Sequence, residues 1–152
     1  MPVAIRHATP DDAMEVVHAV DALLLELFGT APVGEARERP TRDMLMRPDD
    51  FVALLAHDGE EVVGALTLST CYAVYAEGAF GEIAELYVAP AWRSKNVGRL
   101  LIDAAVRHAR SRGWKSLEVG APPADTWSRT VAFYKGYGFH EIGPRLGFDF
   151  AG

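Results

Sequence analysis

Apolar residues recur along this chain at two spacings, and the switches between them predict its elements. Val3–Arg6 is a short extended run. Thr9-Pro10-Asp11-Asp12 follows as a helix start: an oxygen-bearing cap, proline in the first turn and acids at the positive end of the helix dipole. Val16, Val17, Val20, Leu23, Leu24 and Leu27 then repeat at helical spacing as far as Gly29. Gly34–Pro48 crowds opposite charges around Met44, Leu45 and Met46 and predicts a short, mobile helix. Phe51–His57 and Glu61–Ser69 flank Asp58-Gly59, a hairpin signal. Gly81–Val88 is a third strand, ended by Ala89-Pro90. Val97–Arg112 is a helix with Val97, Leu100, Leu101, Ala104, Ala105 and His108 on its apolar face and Gly113 as its stop.

Trp114–Val119 is the strand after that helix, so this stretch forms a strand-loop-helix-strand unit with parallel strands. Beyond the Ala121-Pro122-Pro123 loop, Thr126–Tyr137 predicts a helix stopped by a left-handed Gly138. Phe139–Ile142 and Arg145–Phe150 are closing strands joined at Gly143-Pro144. The sum is a mixed α/β sheet in one domain over residues 1–152.

Composition narrows the function. At 152 residues the chain is long enough for one full core. No apolar run approaches the ~18 residues of a membrane span, and the start MPVAIRHATPDD lacks a secretory signal. Cys71 is the only cysteine, which excludes an intrachain disulfide and a Cys-based metal site. His7, His18, His57, His108 and His140 show no metal-ligand spacing, so no metal is expected. A cytoplasmic protein that binds neither membrane nor nucleic acid follows. The net charge of −6 opposes a nucleic-acid binder. Val88–Arg112, however, holds Arg93, Lys95, Arg99, Arg107, Arg110 and Arg112 against the single acid Asp103. Arg107, Arg110 and Arg112 suit a helix C-terminus, which leaves Arg93, Lys95 and Arg99 pointing to an anionic ligand.

Those three cations lie in Val88-Ala-Pro-Ala-Trp-Arg-Ser-Lys-Asn-Val-Gly-Arg, where a strand runs into a helix N-terminus. Unpaired N–H groups and the helix dipole favour an anion there, by ~0.3–1 kcal/mol per exposed contact. Gly98 permits close approach to the backbone, and Asn96 tolerates a left-handed φ. Physically this is a diphosphate cradle; an ordinary polar connection is the plain alternative. The segment resembles the acetyl-CoA motif of the GNAT N-acetyltransferase superfamily: arginine or glutamine, two residues, glycine, one residue, then glycine or alanine. Arg93 and Gly98 match its ends, Asn96 stands in place of the first glycine, and Ser94 replaces another glycine often found earlier. Glu85-Leu86-Tyr87-Val88 is similar to the family's central strand, and Phe133-Tyr134-Lys135-Gly136-Tyr137-Gly138-Phe139 to its late helix end.

The resemblance implies a twisted, mostly antiparallel sheet in which one parallel pair splays apart, here Gly81–Val88 and Trp114–Val119, with acetyl-CoA as co-substrate in the gap. Its pantetheine arm would run along Leu86, Tyr87 and Val88, bonding the backbone of the first and last. Its pyrophosphate would sit on Arg93, Ser94, Lys95, Asn96, Val97, Gly98 and Arg99. The reaction implied is acetyl transfer to a primary amine by direct attack in a ternary complex. The acceptor would be a small polyamine-like molecule, or a lysine or N-terminal amine of a peptide. A homodimer is also a family expectation.

An alkylamine of pKa near ~10.4 is neutral in about one part in ~2,500 at pH 7, a deficit of ~4.6 kcal/mol, so the site must take up its proton. Glu82 and Glu85 are the candidates. Regular alternation places them on opposite faces, but the resemblance implies a bulge in this strand, so whether Glu82, Glu85 or a water held near Glu85 is the base stays open. The resemblance makes Tyr134 the group that hydrogen-bonds the CoA sulfur and protonates the departing thiolate; Val88 N–H would meet the oxyanion. Trp127 replaces an asparagine often found at this helix start and cannot accept a hydrogen bond, and Ser128 could supply that contact. Asp125 and Asp149 could add to the acidic field. Cys71 as a covalent nucleophile lacks an evident base. Gly29–Pro48 and the turn after Thr70, with Tyr72 and Tyr75, would wall the acceptor. A non-catalytic acyl-CoA-binding sensor is the competing reading. A dinucleotide binder fails for want of Gly-x-Gly-x-x-Gly after the first strand.

Overall fold

The computed structural model describes residues 2–150. Strands β1 (Ala4–His7), β2 (Phe51–Asp58), β3 (Glu61–Ala73), β4 (Gly78–Val88) and β5 (Leu117–Val119) form one sheet in chain order. The first three pairings are antiparallel and β4–β5 is parallel. This is the mixed sheet with a parallel pair that the pattern predicts. The helices are α1 (Ala13–Phe28), α2 (Glu35–Leu45), α3 (Val97–Ser111) and α4 (Ser128–Tyr137). The chain divides into two compact units, residues 1–119 and 120–152. Among the described residues no helix is long and apolar enough to cross a membrane.

In the first unit, local signals set the helix ends. Asp12 accepts from Thr9 N–H at 2.7 Å and pairs with Arg6 through both carboxylate oxygens, at 2.8 and 2.9 Å. The Arg6 hydrogen bonds, against a smaller opposing effect of burial, hold the Asp12 carboxyl well below the usual carboxylate range. Gly29 ends α1 at φ +67°, and Gly113 follows α3 at φ +77°.

Alternation divides the sheet into two faces. Ala53, Leu55 and Ala65 pack with Ala13, Val16, Ala19 of α1 and Leu45 of α2. The other face carries α3: a side chain at Gly64 would lie 3.2 Å from both Val97 and Leu101. The two helices over the first face are joined by a buried polar contact. Asp21 of α1 accepts from Gly34 N–H at 3.0 Å and from the guanidinium of Arg37 in α2. Burial pushes the Asp21 carboxyl upward, but Gly34 N–H and Arg37 outweigh it, and the net shift is downward.

Three expectations need correction. The strand after α3 is three residues, not six: Trp114 N–H returns to Ala109 C=O at 2.9 Å, so Trp114 closes the helix instead. Its ring then packs on β4, where a Cβ at Gly81 would stand 2.7 Å from it and 2.6 Å from Leu117. The hairpin strands run longer than their patterns, so Tyr72 belongs to β3 and the turn begins at Val74. In the second unit, the segments Phe139–Ile142 and Arg145–Phe150 form no strand among the described residues. Phe139 N–H bonds Tyr134 C=O at 3.0 Å as part of the α4 terminus. Leu146, Phe148 and Phe150 alternate as a strand would, yet are almost fully exposed.

Asp21→Ala should cost about 2 kcal/mol at pH 7, since two hydrogen bonds to a charged acceptor are lost. A carboxyl whose folded pKa is depressed contributes stability above its unfolded value near ~3.9 and loses it as pH falls through the folded value. Urea titrations at pH 7 and pH 3 should therefore show the difference between wild type and variant shrinking in acid; a constant difference would contradict this assignment.

Candidate active site

The pairing of β3 with β4 changes register once. Thr67 faces Glu85 and Leu68 faces Ile83, so Ala84 is an extra residue with no partner. The consequence is a change of parity. Thr67, Ser69 and Cys71 lie on one face of β3, and their partners Glu85, Glu82 and Phe80 lie on that face with them. Both candidate carboxylates are thus on the side of the sheet covered by α1 and α2, each half-buried. Ala65 pairs with Tyr87, which extends the same face.

Two contacts there escaped the sequence pattern. The hydroxyl of buried Thr67 donates to Glu85 Oε1, and Glu85 N–H donates to Thr67 Oγ1 at 3.1 Å. In the parallel register Glu118 of β5 stands beside Glu82, and Tyr75 Oη donates to Glu118 Oε2 at 3.0 Å. That bond raises the Tyr75 pKa, with a smaller contribution from burial. The Tyr75 ring also meets Phe80, 6.0 Å between centroids. In the sequence Glu118 is legible only as a member of the expected strand Trp114–Val119.

β4 and β5 pair over three positions, Gly81–Ile83 with Leu117–Val119, while β4 continues to Val88. Ala89 N–H bonds Val63 C=O at 2.8 Å on the β3 side. By alternation the N–H and C=O groups of Val88 and Leu86 point to the opposite edge. One of these is taken: Arg93 Nε donates to Val88 C=O at 2.9 Å. Arg93 Nη2 also bonds Glu26 of α1 at 2.6 Å, and its guanidinium lies 6.0 Å from the Tyr87 ring centroid. Its side chain therefore ties the loop to α1 and to the end of β4.

After a 3₁₀ turn at Pro90–Trp92, Ser94 and Asn96 both adopt left-handed backbone, φ +63° and +67°. These residues replace glycines of the motif and keep the conformation that glycine favours. Left-handed Asn96 followed by helical Val97 turns successive N–H groups inward as an anion-binding nest. The first helical bond, Leu100 N–H to Asn96 C=O at 3.0 Å, leaves the N–H groups of Asn96, Val97 and Gly98 ahead of the ladder. Lys95 Nζ lies 5.1 Å from the Trp92 ring centroid. These features fit a diphosphate on the backbone, with Lys95 and Arg99 as the nearby charges.

Tyr134 belongs to the second unit, on α4, where its ring packs against Phe133 and Phe139, each 5.7 Å between centroids. Burial pushes its hydroxyl up to about 12. Trp127 occupies the cap of α4 without a side-chain hydrogen bond to the helix; its own N–H bonds Pro123 C=O at 2.9 Å. Exposed Ser128 is the first helical residue.

Comparisons with known proteins bear on the family and the fold. The profile of the Acetyltransferase (GNAT) family matches residues 18–139. An aminoalkylphosphonate N-acetyltransferase of Salmonella typhimurium is 32% identical over 120 residues, covering 78% of this chain and 75% of that one. An IAA acetyltransferase of Azospirillum brasilense is 27% identical over 147 residues, covering 93% and 87%. Among solved structures, an aminoglycoside acetyltransferase from a soil metagenomic sample, crystallised with sisomicin, superposes with a TM-score of 0.79 at 18% identity, covering 98% of this chain and 95% of that one. An integron cassette protein from a salt-marsh metagenome gives 0.83 at 24%, covering 97% and 91%.

The left-handed position predicts a graded response to substitution. Asn96→Ala should cost about 1 kcal/mol, because alanine adopts the left-handed conformation less readily than asparagine does, whereas Asn96→Gly should be close to neutral. Thermal melts of the two variants beside wild type would decide this; equal losses would speak against it.

Proposed function

Since the chain belongs to the GNAT acetyltransferase family, we propose that it moves the acetyl group of acetyl-CoA to a primary amine by direct attack in a ternary complex. The observation that carries this reading is the bulge at Ala84, which sets Glu82 and Glu85 on one face of the strand that ends beside the nest of α3. Acetyl-CoA would supply the thioester carbonyl. The backbone of Asn96, Val97 and Gly98, with Lys95 and Arg99, would hold its phosphates, and Leu86 and Val88 its pantetheine arm.

Glu85 takes the proton of the incoming ammonium in this reading, and Glu82 deepens the field that draws the cation in. Val88 N–H stabilises the oxyanion, its C=O being occupied by Arg93. Tyr134 is protonated at neutral pH, as an ordinary phenol is, and burial raises its pKa further. A phenol near 12 facing a thiol of ~8.5 would give up its proton at a cost of about 5 kcal/mol. It therefore serves the leaving thiolate as a hydrogen-bond donor, and the proton that ends on sulfur comes from the attacking nitrogen.

Names of similar proteins point to amine acceptors, an aminoalkylphosphonate in one case and aminoglycosides in the other. Three carboxylates on adjoining strand positions, Glu82, Glu85 and Glu118, favour a cationic acceptor over one carrying a phosphonate. A small amine with more than one positive charge suits the site best.

A panel of alkylamines, diamines, aminoglycosides and an aminoalkylphosphonate, assayed for thiol release from acetyl-CoA, should give turnover with the polycationic members; no release from any amine would overturn the reading. Glu85→Gln should lower kcat/KM about 10²- to 10³-fold and Glu82→Gln about tenfold, mostly through KM. Tyr134→Phe should lower kcat about ten- to a hundredfold, and an unchanged kcat would remove its assignment.

A further inference from the structure

We infer that Thr67 is a positioning residue for this reaction, acting through Glu85. The inference rests on the reading of Glu85 as the proton acceptor. Thr67 lies on the central strand β3, only 2% exposed, with Ala53 of β2 on one side and Glu85 of β4 on the other. Its strand neighbours on either side are the buried Leu66 and Leu68. A hydroxyl in such surroundings is disfavoured unless it is hydrogen-bonded, and valine has the same shape without that demand.

The hydroxyl's partners explain its presence. It accepts the N–H of Glu85 at 3.1 Å and gives its single proton to Oε1 of the same residue. One side chain thus grips the backbone and the carboxylate of Glu85 together, at the position where the extra residue Ala84 breaks the ladder. Because a hydroxyl has one proton, only Oε1 is engaged, and the other carboxylate oxygen is left to meet the amine. The rotamer of Glu85 follows from the position of Thr67, which the sheet fixes from both sides. A base held in this way needs no reorganisation when the substrate arrives, and small misplacements of a reacting group cost rate steeply.

Kinetics with the amine that gives the fastest thiol release in the panel tests this. Thr67→Val should lower kcat about tenfold while both KM values stay within about twofold, and Thr67→Ser should return kcat to within about threefold of wild type. On a Glu85→Gln background, Thr67→Val should change kcat by less than about twofold, because the pathway it acts through is gone. A wild-type kcat in Thr67→Val, a tenfold loss on both backgrounds, or a failure of serine to restore the rate would each overturn the inference and leave Glu85 as base. No loss in Glu85→Gln itself, or silence of the whole panel in wild type, would remove the parent reading and the inference with it.

A second measurement does not depend on how well Thr67→Val folds. The Thr67 hydroxyl proton should appear as a slowly exchanging NMR resonance in wild type and vanish in Glu85→Ala. A resonance unaffected by that substitution, or none in wild type, would show that the hydroxyl is not committed to the carboxylate.

Discussion

A strand's side chains alternate between faces, so one extra residue in β4 exchanges the faces of everything beyond it. Ala84 is that residue. Without it Glu82 and Glu85 would lie on opposite sides of the sheet, one of them on the face that carries α3. With it, both carboxylates, Tyr87 and Phe80 share the face beneath α1 and α2. Unpaired carboxylates are poorly tolerated inside a protein, and Thr67 relieves this at Glu85 by donating its hydroxyl proton. The disruption of the ladder and the assembly of an acidic face are thus one event.

The elements around that face are held by contacts that each join two parts of the site. Arg93 bonds Val88 C=O and Glu26, so one side chain links the loop before α3, the end of β4 and the last turn of α1. Exposed ion pairs of this kind are worth less than about 1 kcal/mol each, so the contact serves geometry more than stability. Asp21 does the same for α1 and α2 from a buried position, through Gly34 N–H and Arg37. At the start of α3, Ser94 and Asn96 accept left-handed backbone so that the N–H groups ahead of the helix converge. The strain is modest and is placed where an anion would offset it.

Much of this was legible from local residue order. Thr9-Pro10-Asp11-Asp12, Gly29, Asp58-Gly59 and Gly113 mark helix ends and a turn through interactions within about four residues, and the structure has them where the pattern puts them. The Arg93–Gly98 segment carried its own signal for the same reason: a nest is made by consecutive backbone angles. The closing segments Phe139–Ile142 and Arg145–Phe150 show the limit of such reading. Alternation of Leu146, Phe148 and Phe150 suits a strand, but a strand also needs a neighbour to bond and a face to cover, and neither is encoded in the segment.

The order of residues along the chain therefore established most of the elements, the family and the loop before α3, since each depends on groups that are near neighbours in the backbone. The parity of the two glutamates, the grip of Thr67 on Glu85, the place of Glu118 beside Glu82, the direction of Arg93 and the shortness of β5 came from the folded sheet. Each of those is set by a partner distant in sequence: Thr67 and Glu85 are 18 positions apart, and Arg93 and Glu26 are 67. No local periodicity records which strand will lie alongside another, or in what register. The register alone decides whether two acids separated by Ile83 and Ala84 oppose or assist each other.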